Sequence, residues 1–302
     1  MAIRRALVAV LLLFATVACG GTPKEAAPAG ETAGFPATAG SVTLARAPQR
    51  IVVLGPSLTE MLFAIGAGKQ VVAVDGSSTF PSQAPRTGFS AYQPNAEAIA
   101  AERPDLVVLS NDLNNVVAQL GQLKIPVYHA PPAAAIGDSY TQLTDLGKLT
   151  GHSPGAAETV RRMKDGLAKV LADVPQRRLT YYYELDQTRY SATSRTFVGS
   201  LLKELGLDNI ADPADADGSR GGYPQLSEEF VIHANPDLVL LADTKCCGQN
   251  AETVRARPGW NTVTAVRRNQ IVALDDDIAS RWGPRVVELV RAVADGAAKA
   301  RG

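Results

Sequence analysis

The chain has 302 residues, with 30 basic and 30 acidic side chains, a formal net charge of zero and 46% hydrophobic residues. That balance removes the electrostatic case for a nucleic acid or another polyanion as partner. The length allows two lobes with real cores.

The first stretch is a targeting signal. Arg4 and Arg5 precede an apolar run over residues 6–17, and Ala18 precedes Cys19, the layout of a secretory signal too short to span a bilayer as a stable helix. Thr16-Val17-Ala18-Cys19 resembles the bacterial lipobox, although Thr16 stands where leucine is commoner. Residues 1–18 therefore read as a lipoprotein signal peptide and Cys19 as the lipidated residue, the alternative being an ordinary signal with a chance cysteine. Several acyl chains anchor a protein stably where one is marginal. Residues 19–47 are rich in Ala, Gly, Pro and Thr and carry almost no large apolar side chain, so they read as a flexible tether.

An α/β pattern starts at residue 48. Strands are expected over 50–54, 71–74, 106–109 and 125–128, with helices over 58–65, 95–101 and 115–123 between them. Ser57 with Glu60 three residues on has the spacing of a capping box. The alternation predicts a mostly parallel sheet covered on both faces, over residues 48–137. Within it, EAIAAERPDLVVL at 97–109 reads as a short helix, a Pro-Asp turn and a buried strand. The pattern returns as EFVIHANPDLVLL at 229–241, with glutamates and prolines each 132 residues apart. That period is far too long for a solenoid, so the chain is read as two similar lobes.

Between the lobes, residues 138–175 read as linker helices, with Val160, Met163, Leu167, Val170 and Leu171 at helical spacing and Pro154 suited to a first turn. A long rigid helix joining the lobes implies small lobe motion on binding. Residues 176–302 make the second lobe, with strands over 179–185, 238–241 and 270–274, helices over 197–205 and 226–233, and a final helix from Gly283-Pro284-Arg285 to about Lys299. The fold class is thus α/β, two Rossmann-like lobes with mostly parallel sheets joined by one long helix. Cys246 and Cys247 are neighbours. Adjacent Cα atoms lie about 3.8 Å apart, below the usual disulfide range, but an oxidising compartment favours a vicinal disulfide. Packed thiols or a thiolate metal site are the alternatives.

The chain contains no G-x-S-x-G elbow, H-E-x-x-H, P-loop or G-x-G-x-x-G. His129, His152 and His233 are widely separated; His233 reads as structural, and His129 as either a cleft or a surface residue. Trp260 reads as core. No catalytic residue and no intrinsic metal site or cofactor is expected.

Four groups of residues then carry a resemblance. They are Gln49-Arg-Ile-Val-Val-Leu54 with Ser57-Leu-Thr-Glu60, Pro94-Asn-Ala-Glu97 with Pro104-Asp-Leu-Val, Tyr223-Pro-Gln-Leu-Ser-Glu-Glu229 with Pro236-Asp-Leu-Val, and Gly283-Pro-Arg285. In order and spacing, over about residues 48–290, the chain resembles the class III substrate-binding proteins of bacterial ABC importers, which capture ferric siderophores, haem and vitamin B12. The resemblance implies a non-enzymatic binding lipoprotein outside the cytoplasm, held to the cell membrane by Cys19, monomeric, and delivering its ligand to a permease. It implies permease docking by Glu97 and Glu229. It places a ligand between the lobes on strand-end loops, with Tyr92 and Asn111 from the first lobe and Tyr190, Tyr223, Asp277 and Arg281 from the second; Arg195, Arg220, Lys245 and Trp282 are nearby candidates. Aromatic faces beside several cations suit an iron(III)-siderophore complex, whose iron keeps its own ligands. Haem, with Tyr92 as axial phenolate, is the rival, although no arginine stands next to Tyr92; vitamin B12 is the third. From another class, an extracellular enzyme or a partner-binding lipoprotein without a transport role remains.

Overall fold

Every pairing within the two main sheets is parallel, which follows from strands that are near-continuous apolar runs separated by helices. The computed structural model describes residues 34–174 and 178–300. The signal sequence and Cys19 lie outside the described residues. A hairpin of β1 (Ala37–Ala39) and β2 (Val42–Leu44) comes first. The first sheet follows as β3 (Ile51–Leu54), α1 (Pro56–Ala64), β4 (Val71–Val74), α2 (Ala96–Ala101), β5 (Leu106–Leu109), α3 (Val116–Gln122) and β6 (Val127–His129). Helices α4 (Ile136–Thr150) and α5 (Ser153–Asp173) lead to β7 (Leu179–Glu184), α6 (Phe197–Glu204), β8 (Leu207–Asn209), α7 (Glu228–Ala234) and β9 (Leu238–Leu241). The short helices α8 (Thr244–Cys247), α9 (Ala251–Arg255) and α10 (Thr264–Arg267) then precede β10 (Ile271–Ala273), α11 (Asp276–Ala279) and α12 (Val286–Lys299).

The two sheets share one topology. Their orders are β4-β3-β5-β6 and β10-β9-β7-β8, so in each the first strand lies between the second and third, and the chain reverses direction across the sheet at that pair. The repeated Pro-Asp has the same task in both. Asp105 accepts the amides of Gln49 and Arg50 ahead of β3, and Asp237 accepts the amide and hydroxyl of Thr180 in β7. Each aspartate thus ties the start of its own strand to the central neighbour, at β3·β5 and β7·β9.

Side chains alternate across the strands. Ile51, Val53, Leu106 and Val108 of the first sheet and Tyr181, Tyr183, Leu238 and Leu240 of the second enter one continuous core, which also takes Leu58 and Leu62 of α1, Leu146 of α4, Met163 and Leu167 of α5, and Leu289 and Val293 of α12. The opposite faces bury separate clusters, around Val52, Val107 and Leu120 in one sheet and around Tyr182, Val239 and Trp260 in the other. The 21 residues of α5 give an element about 30 Å long.

Three expectations are corrected. The tether was expected to reach Ala47, yet Ala37, Ala39, Val42 and Leu44 are buried as the hairpin packs against α4; small alternating side chains suffice when a helix covers them. Ser57 and Glu60 form no capping box, because α1 starts at Pro56 after Gly55 with no side-chain cap. The second sheet also has a fourth strand, β8, absent from the expected elements.

Candidate functional site

All ten candidate ligand residues lie on segments that follow the carboxyl ends of strands, the side on which open α/β sheets bind ligands. Tyr92 lies in the loop after β4, Asn111 after β5, Tyr190 and Arg195 after β7, Arg220 and Tyr223 after β8, Lys245 after β9, and Asp277, Arg281 and Trp282 after β10.

The structure brings one group of four together. The loop after β7 runs beside the one before α7, through an antiparallel bridge of Tyr190 with Gln225 and hydrogen bonds from Leu226 N to Arg189 O, from Ser191 N to Pro224 O and from Thr193 N to Gly222 O. Asp215, fully buried at its side chain, organises the rim: its carboxylate accepts the amides of Arg220 (2.8 Å) and Gly222 (2.7 Å) and lies 3.2 Å from the guanidinium of Arg195. The Arg220 amide first, with Gly222 and Arg195, holds this carboxyl below its usual range. Tyr190 and Tyr223 are left 43% and 48% exposed. The sequence carried no local signal for Asp215.

A second group is a chain of charges. Lys245 lies 2.6 Å from Asp275 and 3.1 Å from Asp277, and Asp275 followed by Asp277 raises the Lys245 pKa. Asp277 also meets Arg281 at 2.8 Å. Arg281, expected at the ligand, is instead buried with its guanidinium spent on the other lobe: Glu60 at 2.9 Å, Ser77 O at 3.0 Å and Thr79 Oγ1 at 3.2 Å. Arg285 donates through Nε to Glu60 at 3.0 Å. Trp282 is drawn into the same contact, its amide donating to Ser57 Oγ and its indole N–H to Gln142 Oε1. Ser57 and Glu60, spaced like a helix cap, thus serve as the socket for residues 281–285. Beside this clamp a pocket of about 390 Å³ is lined by Phe63, Phe80, Pro81 and Pro284 with Glu60 and Arg285.

In the first lobe Tyr92 is 77% exposed. Asn111 donates to Ser110 Oγ at 3.1 Å beside Gly55, at the point where the chain reverses across the sheet. No hydrogen bond among the described residues ties either to the second lobe's groups.

Glu97 and Glu229 hold equivalent places. Each is the second residue of a short helix, α2 or α7, capped by Asn95 or Ser227, and each is exposed. The amide at its own position and the Ser227 hydroxyl lower the Glu229 pKa. Cys246 and Cys247 are joined in a disulfide with Cα atoms 3.8 Å apart, on the turn after β9. Asp276 accepts the amides of Thr244, Lys245 and Cys246 there. His129 and His233 are exposed, and Trp260 is fully buried. No group of three metal-binding side chains occurs among the described residues, nor any helix long and apolar enough to cross a membrane.

Two sheets of one topology, with candidate residues on the loops after their strand ends and the Glu60–Arg281 pair joining the two lobes, suit a protein that holds a solute. The sequence matches the family model for periplasmic binding proteins over residues 51–278. The chain belongs to that family. It is 27% identical over 307 residues to an uncharacterized ABC transporter substrate-binding lipoprotein of Bacillus subtilis, covering 95% of each chain. To a cobalamin-binding protein of Halobacterium salinarum it is 32% identical over 282 residues, covering 88% of this chain and 75% of that one. Among solved structures, a possible iron-binding periplasmic solute-binding protein of Staphylococcus epidermidis superposes with a TM-score of 0.71 at 26% identity, covering 83% of this chain and 99% of the other. The periplasmic binding protein is therefore a class III substrate-binding component of an ABC importer, a solute binder rather than an enzyme.

Proposed function

We propose that the protein captures a corrinoid of the vitamin B12 type, in place of the ferric siderophore that the sequence suggested, and presents it to the permease. The observation that carries this is the neutralisation of the cations. Arg195 is paired with Asp215, Lys245 with Asp275 and Asp277, and Arg281 with Glu60 and Asp277. Among the described residues only Arg220 of the four basic candidates has no ion pair. An anionic chelate would have to break these pairs, whereas a large, nearly neutral macrocycle edged with amides needs aromatic faces and hydrogen-bond partners. Tyr92, Tyr190 and Tyr223 are exposed and Asn111 offers an amide. The 32% identity to a cobalamin-binding protein supports the same reading.

Haem is the second reading, favoured by the exposure of Tyr92, whose phenolate could take an axial position. Delivery rests on Glu97 and Glu229, two carboxylates at equivalent sites of two like lobes, suited to charge-assisted pairs with arginines on a two-subunit permease. Lipidated Cys19 would hold the monomer at the membrane.

Titration with cyanocobalamin, haemin and ferric hydroxamate and catecholate chelates, followed by calorimetry, tests the ligand. Cyanocobalamin should bind at least about 100-fold more tightly than the ferric catecholate, and Tyr223→Ala should weaken it by about tenfold, or about 1.4 kcal/mol. A ferric chelate binding more tightly than cyanocobalamin overturns the proposal, and a haem Soret shift lost in Tyr92→Phe moves it to haem.

A further inference from the structure

Beneath the turn after β9 lie two carboxyl groups that ligand capture does not use. Asp243 is fully buried, and neither of its oxygens has a hydrogen-bond partner among the described residues. Glu184, at the end of β7, is equally buried and takes both arms of Arg257, each at 2.6 Å. The Tyr182 hydroxyl close by is also without a partner. Arg257 stacks over the Trp260 ring, 4.7 Å from its centroid, and gives a further hydrogen bond to Gln249 Oε1 at 2.7 Å.

This arrangement holds two acids and one cation out of water. With both acids ionised it would carry an uncompensated negative charge, which burial penalises heavily. Glu184 occupies the arginine fork, so Asp243 is the acid left without a cation. One of these oxygens gains a partner if it carries a proton and donates to Glu184. We propose that Asp243 and Glu184 hold one shared proton, and that losing it to solvent loosens the ligand-side turn over residues 244–249.

Burial first, and the Glu184 charge second, push the Asp243 carboxyl up to about 7. Burial also raises the Tyr182 phenol well above its usual value, keeping it a neutral donor. The remaining charged groups around the turn are engaged elsewhere: Lys245 with Asp275 and Asp277, and Asp276 with the amides of α8. The link to the turn is Gln249. It closes the turn through its amide to Asp243 O at 3.3 Å and through Nε2 to Cys247 O at 3.4 Å, and Arg257 holds its side chain. When the proton leaves, two carboxylates compete for Arg257 and draw it from Gln249.

The sign follows from linkage. An acid raised in the folded state stabilises fully below its unfolded value near 4, and that contribution is lost as pH rises through about 7. Between about pH 5.5 and 7 the unfolding constant of the wild type should therefore rise by up to about tenfold per pH unit, then level off. Asp243→Asn, whose amide donates to Glu184 at every pH, should remove that slope, along with a change in tryptophan emission near neutral pH reported by Trp260. The infrared band of a protonated carboxylic acid should be present in the wild type at pH 6 and fade with a midpoint near 7. Identical pH profiles in wild type and variant overturn the proposal. So does absence of the acid band at pH 6, which decides the matter even if the variant does not fold. These readouts need no ligand, so they stand apart from the corrinoid reading on which one further consequence rests: cyanocobalamin affinity should fall as pH rises through 7 in the wild type and stay level in Asp243→Asn.

Discussion

Glu60 is 3% exposed and faces two arginines from a segment 221 and 225 residues further along the chain. A buried carboxylate between two guanidiniums is a poor source of net stability, because desolvation offsets much of the attraction. Removing it alone is different, since both arginines stay buried without their counter-charge. Glu60→Ala should therefore lower the unfolding free energy by about 3–5 kcal/mol, read from urea titration. The sequence could not show this role. Ser57 and Glu60 have the spacing of a helix cap, and a cap is the only function legible from neighbours three residues apart. Nor did it show that Arg281, on a loop after a strand end, pairs with Asp277 and Glu60, or that Trp282 bonds Ser57 and Gln142. Asp243 gave no signal, because the end of β7 that buries it is distant in sequence.

At the level of elements, α5 meets α1 through Gly155. A Cβ at that position would strike the backbone carbonyl of Ile65, so Gly155→Ala should cost about 1–3 kcal/mol by forcing the two helices apart. Gly137, in the exposed first turn of α4, has open space around its missing Cβ. Gly137→Ala should stabilise by about 0.4–1 kcal/mol, through lower unfolded-state entropy. Paired thermal melts check both signs. The strands of the two Pro-Asp-Leu-Val segments were legible because a parallel, doubly covered strand must be a continuous apolar run. The hairpin of β1 and β2 was not, since Ala, Thr and Gly read as tether until α4 covers them. The short helices α8 to α11 were equally hidden; each is too brief to show a period.

Across the whole molecule, α5, the shared core and the clamp at Glu60 all tie the lobes together, which suits small lobe motion on binding. On the proposed docking, the permease would meet a surface that is already in place, with Glu97 and Glu229 as matched charges at equivalent helix starts. Reversing both, as Glu97→Lys with Glu229→Lys, should reduce uptake in cells by at least about tenfold while leaving ligand affinity within about twofold. Lost affinity with intact uptake would place these residues at the ligand instead. The sequence by itself determined the parallel α/β lobes and their likeness, because apolar periodicity and Pro-Asp turns act over a few residues. Only the tertiary structure decided which of the candidate charges are paired within the fold. Arg195, Lys245 and Arg281 look alike in the sequence, and their pairing with Asp215, Asp275, Asp277 and Glu60 depends on distances that exist only once both sheets are packed.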